Sequence, residues 1–176
     1  MKQTNVRTTN GFSLIELLIV VAIILVIAAI AIPSLLHARM AANESSAASC
    51  LRTIKTAEYA YYSAYPSVGY AVQLQDLGGA SPCVASPVTA CLIDTSLSTA
   101  IVGSNGKNGF IFDATGVNGG APINGDFVTG ATPKVLNRTG VRNFCSTSDG
   151  ILRSNPGVGG NPVTTVAACM GYPVAQ

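Results

Sequence analysis

A single carboxylate, Glu16, stands at the head of a run of apolar residues that extends from Leu17 to Ile32. A charge held in hydrocarbon costs roughly 2.5–3.5 kcal/mol on insertion scales, so a carboxylate at that place calls for a partner. Ahead of it the chain reads Gly11-Phe12-Ser13-Leu14-Ile15, preceded by a polar leader that contains Lys2 and Arg7 and no acid. Cleavage of the peptide bond after Gly11 would create an amine at Phe12. That cation would lie four residues from Glu16 and therefore on the same face of a helix. If the chain were cut there, the chemistry these residues could do is an ion pair in apolar surroundings.

Other reactive side chains do not assemble. Ser13, Glu16 and His37 lie along one predicted rod and cannot converge into an acid–base or nucleophile set. His37 is the only histidine, and none of the five cysteines belongs to a Cys-x-x-Cys pair, so a zinc site lacks ligands. His37 is read as a solvated helix residue near the headgroups. Asp113, Asp126 and Asp149 could ring a calcium ion, but their spacing matches no motif, and solvated strand ends are the favoured reading. Gly116-Val117-Asn118-Gly119-Gly120 follows a predicted strand with no helix after it, which is not a phosphate-binding arrangement. Among Tyr59, Tyr61, Tyr62, Tyr65 and Tyr70, Tyr61 is expected in the core, the others at a helix end and on the surface. No cofactor and no metal are expected.

The positioning elements begin with one long helix. Residues 1–11 read as a leader, 12–62 as the helix, with its first half (about 12–35) spanning a membrane, and 63–176 as a globular domain. The first half is apolar all round, as a membrane span must be. A secretory signal is the rival reading, since basic residues precede the run and Ala29-Ile30-Ala31 offers a small-x-small cleavage site. Glu16 interrupts the place where such a signal needs its apolar core, and the helical pattern continues past Ala31 to about Tyr62. Pro33 ends the apolar run, where it either kinks the helix or ends it, with Ser34 capping a second helix. Farther on, Cys50, Ile54, Ala57 and Tyr61 share one face, expected to pack on a sheet, with Leu51 beside the stripe and Arg52, Lys55 and Glu58 mostly off it. A helix of that length would be roughly 75 Å long, so half of it should project from the domain.

After turn-forming Tyr65-Pro66-Ser67-Val68-Gly69-Tyr70, residues 73–77 and 92–100 read as short helical pieces. Strands are expected at 109–114, 126–132 and 141–153, the last with a hairpin or bulge at Asp149-Gly150. Residues 116–120 and 122–125 read as loop, and the tail from Asn155 as glycine- and proline-rich loop. The fold class is α+β: a long N-terminal helix packed on a small antiparallel sheet. Of the 176 residues, 48% are hydrophobic and only 10% charged, which fits a subunit packed against neighbours or lipid. Loss of Lys2 and Arg7 would take the formal charge of +2 to zero, leaving no basic surplus for nucleic acid. Five cysteines point to an oxidising compartment.

The order Gly11, Phe-Ser-Leu-Ile-Glu, apolar run and Pro33 closely resembles the N-terminus of type IV pilins and of the pseudopilins of type II secretion. The resemblance covers roughly Thr9 to Tyr62. It implies a cut after Gly11 by a dedicated peptidase, methylation of the new amine at Phe12, a role for Glu16 in assembly, and a kink rather than a break at Pro33. It also implies a ladle-shaped subunit that waits in the bacterial inner membrane and polymerises with copies of itself on an assembly platform. The filament would lie in the periplasm or at the cell surface. The implied function is structural subunit of a type IV pilus, with a secretion pseudopilin or a non-polymerising membrane-anchored periplasmic binding domain as alternatives; an enzyme is not implied. Cys145 and Cys169 bracket a loop similar in place to the disulfide-closed loop of many pilins, and Cys83 and Cys91 bracket a shorter one. These two pairs are favoured, leaving Cys50 free; a Cys50–Cys145 link is the rival.

Overall fold

The computed structural model describes residues 12–118, 123–157 and 159–175. The chain divides into two compact units, Met1–His37 and Ala38–Gln176. One helix, α1, runs over Leu14–Ala64 and carries Pro33 inside it. No glycine interrupts it, and alanine, leucine and isoleucine keep its propensity high. It ends where Pro66 pushes Tyr65 out of the helical region. A second helix beginning at Ser34 is therefore not what forms: α1 continues through the proline, which leaves the Ala29 carbonyl without its usual donor.

In the second unit, α1 buries a stripe formed by Met40, Glu44, Ala47, Leu51, Ile54, Glu58 and Tyr61, at alternating steps of four and three. Four strands follow: β1 Phe110–Val117, β2 Asp126–Pro133, β3 Arg142–Thr147 and β4 Arg153–Pro156. They form one antiparallel sheet in the order β1-β2-β3-β4, with Phe112 opposite Ala131 and Ala131 opposite Phe144. Alternation along the strands separates two faces. Phe110, Phe112, Ala114 and Phe144 pack with Leu51, Ile54 and Tyr61 of α1 and with Leu74, Leu77 and Leu97 from the intervening chain. That intervening chain holds a 3-10 turn, Leu74–Leu77, and a short helix, α2, Thr95–Ser98. On the opposite face Val128 and Cys145 pack with Cys169, Val163, Val166 and Tyr172. The last helix, α3 Val166–Met170, is capped by the Thr165 side chain, which accepts from the Ala168 amide.

The α+β architecture, helix on antiparallel sheet, is the one expected, with differences in detail. The stripe runs through Leu51 rather than Cys50, which is only half-buried, and it includes Glu58, which is fully buried rather than off the packed face. Ile54, Ala57 and Tyr61 are buried as expected, and two glutamates join them where only apolar positions were read. The helical piece expected at 92–100 is the single turn α2. The third expected strand is two, β3 and β4, joined through Asp149-Gly150, with Gly150 at φ 75°. Gly116 and Val117 belong to β1 rather than a loop. The tail is not all loop: Asn155 and Pro156 end β4, and α3 follows, its apolar side buried by the outer sheet face.

The glutamates differ in how their charge is met. Glu44 accepts from the Val141 amide at 2.7 Å, the Arg142 amide at 3.0 Å and Arg142 Nε at 2.8 Å, and Arg142 Nη2 lies 2.8 Å away. The same guanidinium sits 5.4 Å over the Phe144 ring. Just before it on α1, Asn43 Nδ2 donates to the Thr139 carbonyl at 3.0 Å. This cluster fastens α1 to the start of β3. At the other end of that strand, Lys55 Nζ donates to the Gly150 carbonyl and the Tyr59 hydroxyl to that of Ser148, so α1 also grips the β3–β4 turn. Arg153 beside Asp149 holds that carboxyl down to about 2. Truncation of Glu44 removes the acceptor of two part-buried amides and a half-exposed guanidinium, so Glu44→Ala should lose about 1–2 kcal/mol in urea unfolding followed by circular dichroism. Glu44→Gln, which keeps an acceptor, should lose less. A loss below about 0.5 kcal/mol for the alanine variant would show that this carboxylate does not hold helix to sheet.

Candidate processing and assembly site

The first unit presents the residues singled out at the N-terminus. Gly11 and the leader 1–11 lie outside the described residues. Phe12 is 76% exposed, and every residue from Phe12 to Leu36 except Ala28 is exposed. This stretch is long and apolar enough to cross a membrane, and none of its apolar window is buried within the chain. From Leu17 to Leu36 the helix rises about 30 Å, the thickness of a hydrocarbon core. Glu16 is the only ionisable side chain between Phe12 and Leu36. It lies in the first turn of α1, where a carboxylate faces amides that have no intrahelical acceptor. The Leu17 amide donates to the Ser13 carbonyl at 3.2 Å, so the helical geometry reaches back to Ser13. Phe12 and Glu16 are thus about one turn apart, and Pro33 lies nearly five turns farther along α1, at roughly 3.6 residues per turn.

The remaining candidates are dispersed. His37 is exposed. Asp113 accepts from the Thr115 hydroxyl, Asp126 from the Phe127 amide, and Asp149 from Thr147, Ile151 and Arg153. Among the described residues no three His, Cys, Asp or Glu side chains gather where they could hold a metal ion. Tyr61 is buried, and its hydroxyl donates to the Pro87 carbonyl at 2.6 Å. Tyr59 and Tyr70 lie against Phe127, and Tyr70 also against Tyr59 and Tyr62, at ring separations of 4.7–6.3 Å, with Tyr59 and Tyr62 each 39% exposed. Sequence reasoning missed Glu44 and Glu58 as buried acids. Their place in the four–three alternation was the available signal.

Residues 6–32 match the family model described as the prokaryotic N-terminal methylation motif. Over 39 residues, 22% of this chain, the sequence is 59% identical to the type IV wide pilus major component PilA4 of Thermus thermophilus. That match covers 30% of the relative, so the chain spans about a third of the length of the curated protein it resembles. No solved structure matches.

Beyond the matched segment the covalent framework is carried by cysteines. Disulfides join Cys83 to Cys91 and Cys145 to Cys169, the two pairings favoured from the sequence, and Cys50 is free. The first closes an exposed loop whose Pro87 carbonyl is held by Tyr61. The second is fully buried on the outer sheet face and ties α3 to β3. Burial pushes the Cys50 thiol up. Peptide mapping without reduction should recover both links, with Cys50 alkylated slowly in the folded chain and readily in the unfolded one. A Cys50 cross-link would overturn this framework. Replacing Cys145 and Cys169 together should lower stability by about 3 kcal/mol, read as a shift in the urea midpoint.

Proposed function

From a chain whose N-terminal segment is that of the type IV pilin family, we propose a structural subunit of a type IV pilus, processed after Gly11 and assembled through its apolar helix. The observation that carries the reading is the exposed run from Phe12 to Leu36 with one acid in its first turn. Such a surface needs lipid before assembly and other copies of itself afterwards. On this reading residues 1–11 are the removed leader, and Phe12 is the methylated N-terminus. A peptidase that also methylates and an inner-membrane assembly platform are the partners. The domain after the helix faces the periplasm and then the filament surface. The chain is not an enzyme and binds no nucleic acid as an isolated subunit. A pilus is proposed over a secretion pseudopilus because the curated relative is a pilus component.

Glu16 sets the axial register in this mechanism. Its own amine, one turn away, can neutralise it in a single chain. In a filament the carboxylate is matched by the amine of a neighbour, because an unmatched charge among packed leucine, isoleucine and valine is costly. Pro33 is the position at which the helix kinks.

Intact mass of the chain purified from membranes or sheared filaments should correspond to a start at Phe12 plus one methyl group. Gly11→Val should accumulate uncut precursor. A start at Ile32 would refute the filament reading in favour of a secreted soluble domain.

A separate test is Glu16→Leu. Membrane insertion and cleavage should survive, since an apolar group replaces a charge and the cut site is intact. Filaments counted by electron microscopy of sheared fractions should be nearly absent. Wild-type filament yield from this variant would remove Glu16 from the assembly mechanism.

A further inference from the structure

Glu58 is the second acid of the buried stripe, and its surroundings are the reverse of those of Glu44. Its side chain is wholly buried. One oxygen, Oε2, accepts from the Ala71 amide at 2.9 Å; the other, Oε1, has no hydrogen-bond partner among the described residues. Among the described residues it forms no ion pair. The titratable groups around it are acids and phenols: Tyr61 on α1, Tyr70 and Asp76 on the connection that follows α1, and Asp126 of β2 beyond Tyr70. Lys55, nearly one turn earlier on α1, gives its ammonium to the Gly150 carbonyl instead. Asp76 is itself buried, and its carboxylate folds back on the amide and side chain of Gln73. A buried carboxylate with one hydrogen bond, an acid beside it and no cation is unfavourable in its charged form.

The segment that closes over Glu58 is the connection 65–77. Ala71, Leu74 and Leu77 on it are buried against the core. Tyr65 packs on Tyr61 and Tyr70 on Tyr62, each with ring centres 4.8 Å apart. The connection joins α1 to the rest of the domain, so what holds it down also keeps the end of α1 in place. The Glu58–Ala71 hydrogen bond is a buried side-chain contact between α1 and the connection.

We propose that Glu58 is a proton-operated latch: while it carries a proton, the connection 65–77 stays closed over the end of α1, and loss of the proton loosens that segment so that water reaches the carboxylate. Opening would uncover the aromatic surface of Tyr61, Tyr65 and Tyr70 without disturbing the β-sheet. The latch concerns the folded domain and stands whether or not the chain polymerises.

The sign follows from linkage. Desolvation raises the folded-state value from 4.5 to about 8, and the nearby Asp76 adds to the rise. The closed form therefore binds the proton more tightly than an opened form in which Glu58 is solvated. Closure is favoured most below about pH 4.5 and weakens as pH rises toward 8. If opening solvates Glu58 fully, the ratio of open to closed forms grows roughly 50-fold between pH 6 and pH 8.

The test is hydrogen exchange by mass spectrometry on the full chain in detergent micelles, at several values from pH 6 to 8 and corrected for the intrinsic exchange rate. In the wild type, peptides covering 65–77 should lose protection by tens of fold over that range, while β2 and β3 should not change. Glu58→Gln keeps an acceptor for the Ala71 amide and cannot ionise, so its profile should be flat. Asp76→Asn should retain the slope, since Asp76 is not the switch. The same slope in Glu58→Gln, or its loss in Asp76→Asn alone, would overturn the proposal. Should Glu58→Gln not fold, the wild-type urea midpoint decides. It must fall from pH 5 to pH 8, and a constant midpoint would overturn the latch.

Discussion

One helix answers two different solvent demands, and the architecture follows from that. Phe12–Leu36 turns apolar side chains outward all round, which water does not tolerate over such a length. From Met40 onward the same helix turns a single stripe inward and leaves serine, threonine, arginine and small residues outside. The change of pattern falls close to Pro33 and His37, where the apolar run gives way to polar sequence. The first half is an exposed apolar surface, and the second supplies one wall of a domain core.

That wall is unusual in carrying two carboxylates, and the two solutions to burying them are opposite. Glu44 is met by two backbone amides and a guanidinium almost a hundred residues away, and these bonds locate β3. Glu58 has a single amide and acids for neighbours, so its proton is retained instead. One glutamate specifies where the sheet docks; the other makes the docking of the next segment depend on pH.

Among the described residues the sheet has four strands and an apolar row on each face. Its inner face is covered by α1, and the chain after β4 returns to cover the other. Gly130 leaves room there for Pro162 and Val163, since a side chain at that position would run into them. The Cys145–Cys169 bond closes this second layer, which is too small to form a core of its own. A domain of about 110 residues buries a modest core, and a covalent link under the outer layer offsets that.

What the sequence alone determined lies in features that are local. The Gly-Phe-Ser-Leu-Ile-Glu order and the apolar run announce themselves without any partner. β1 and β2 were legible from aromatic and β-branched residues between glycine-rich turns, and the end of α1 from Tyr65-Pro66. The buried acids of the stripe were not, because a glutamate counts as surface until its partner is known, and Arg142 is 98 residues from Glu44. β4 and α3 were also hidden. β4 reads Arg-Ser-Asn-Pro, a poor strand sequence that forms because β3 offers it an edge. α3 is five residues long, too short to stand without the cap at Thr165 and the disulfide to β3. Tertiary structure decided these elements because their stability comes from contacts distant in the chain, which no local pattern records.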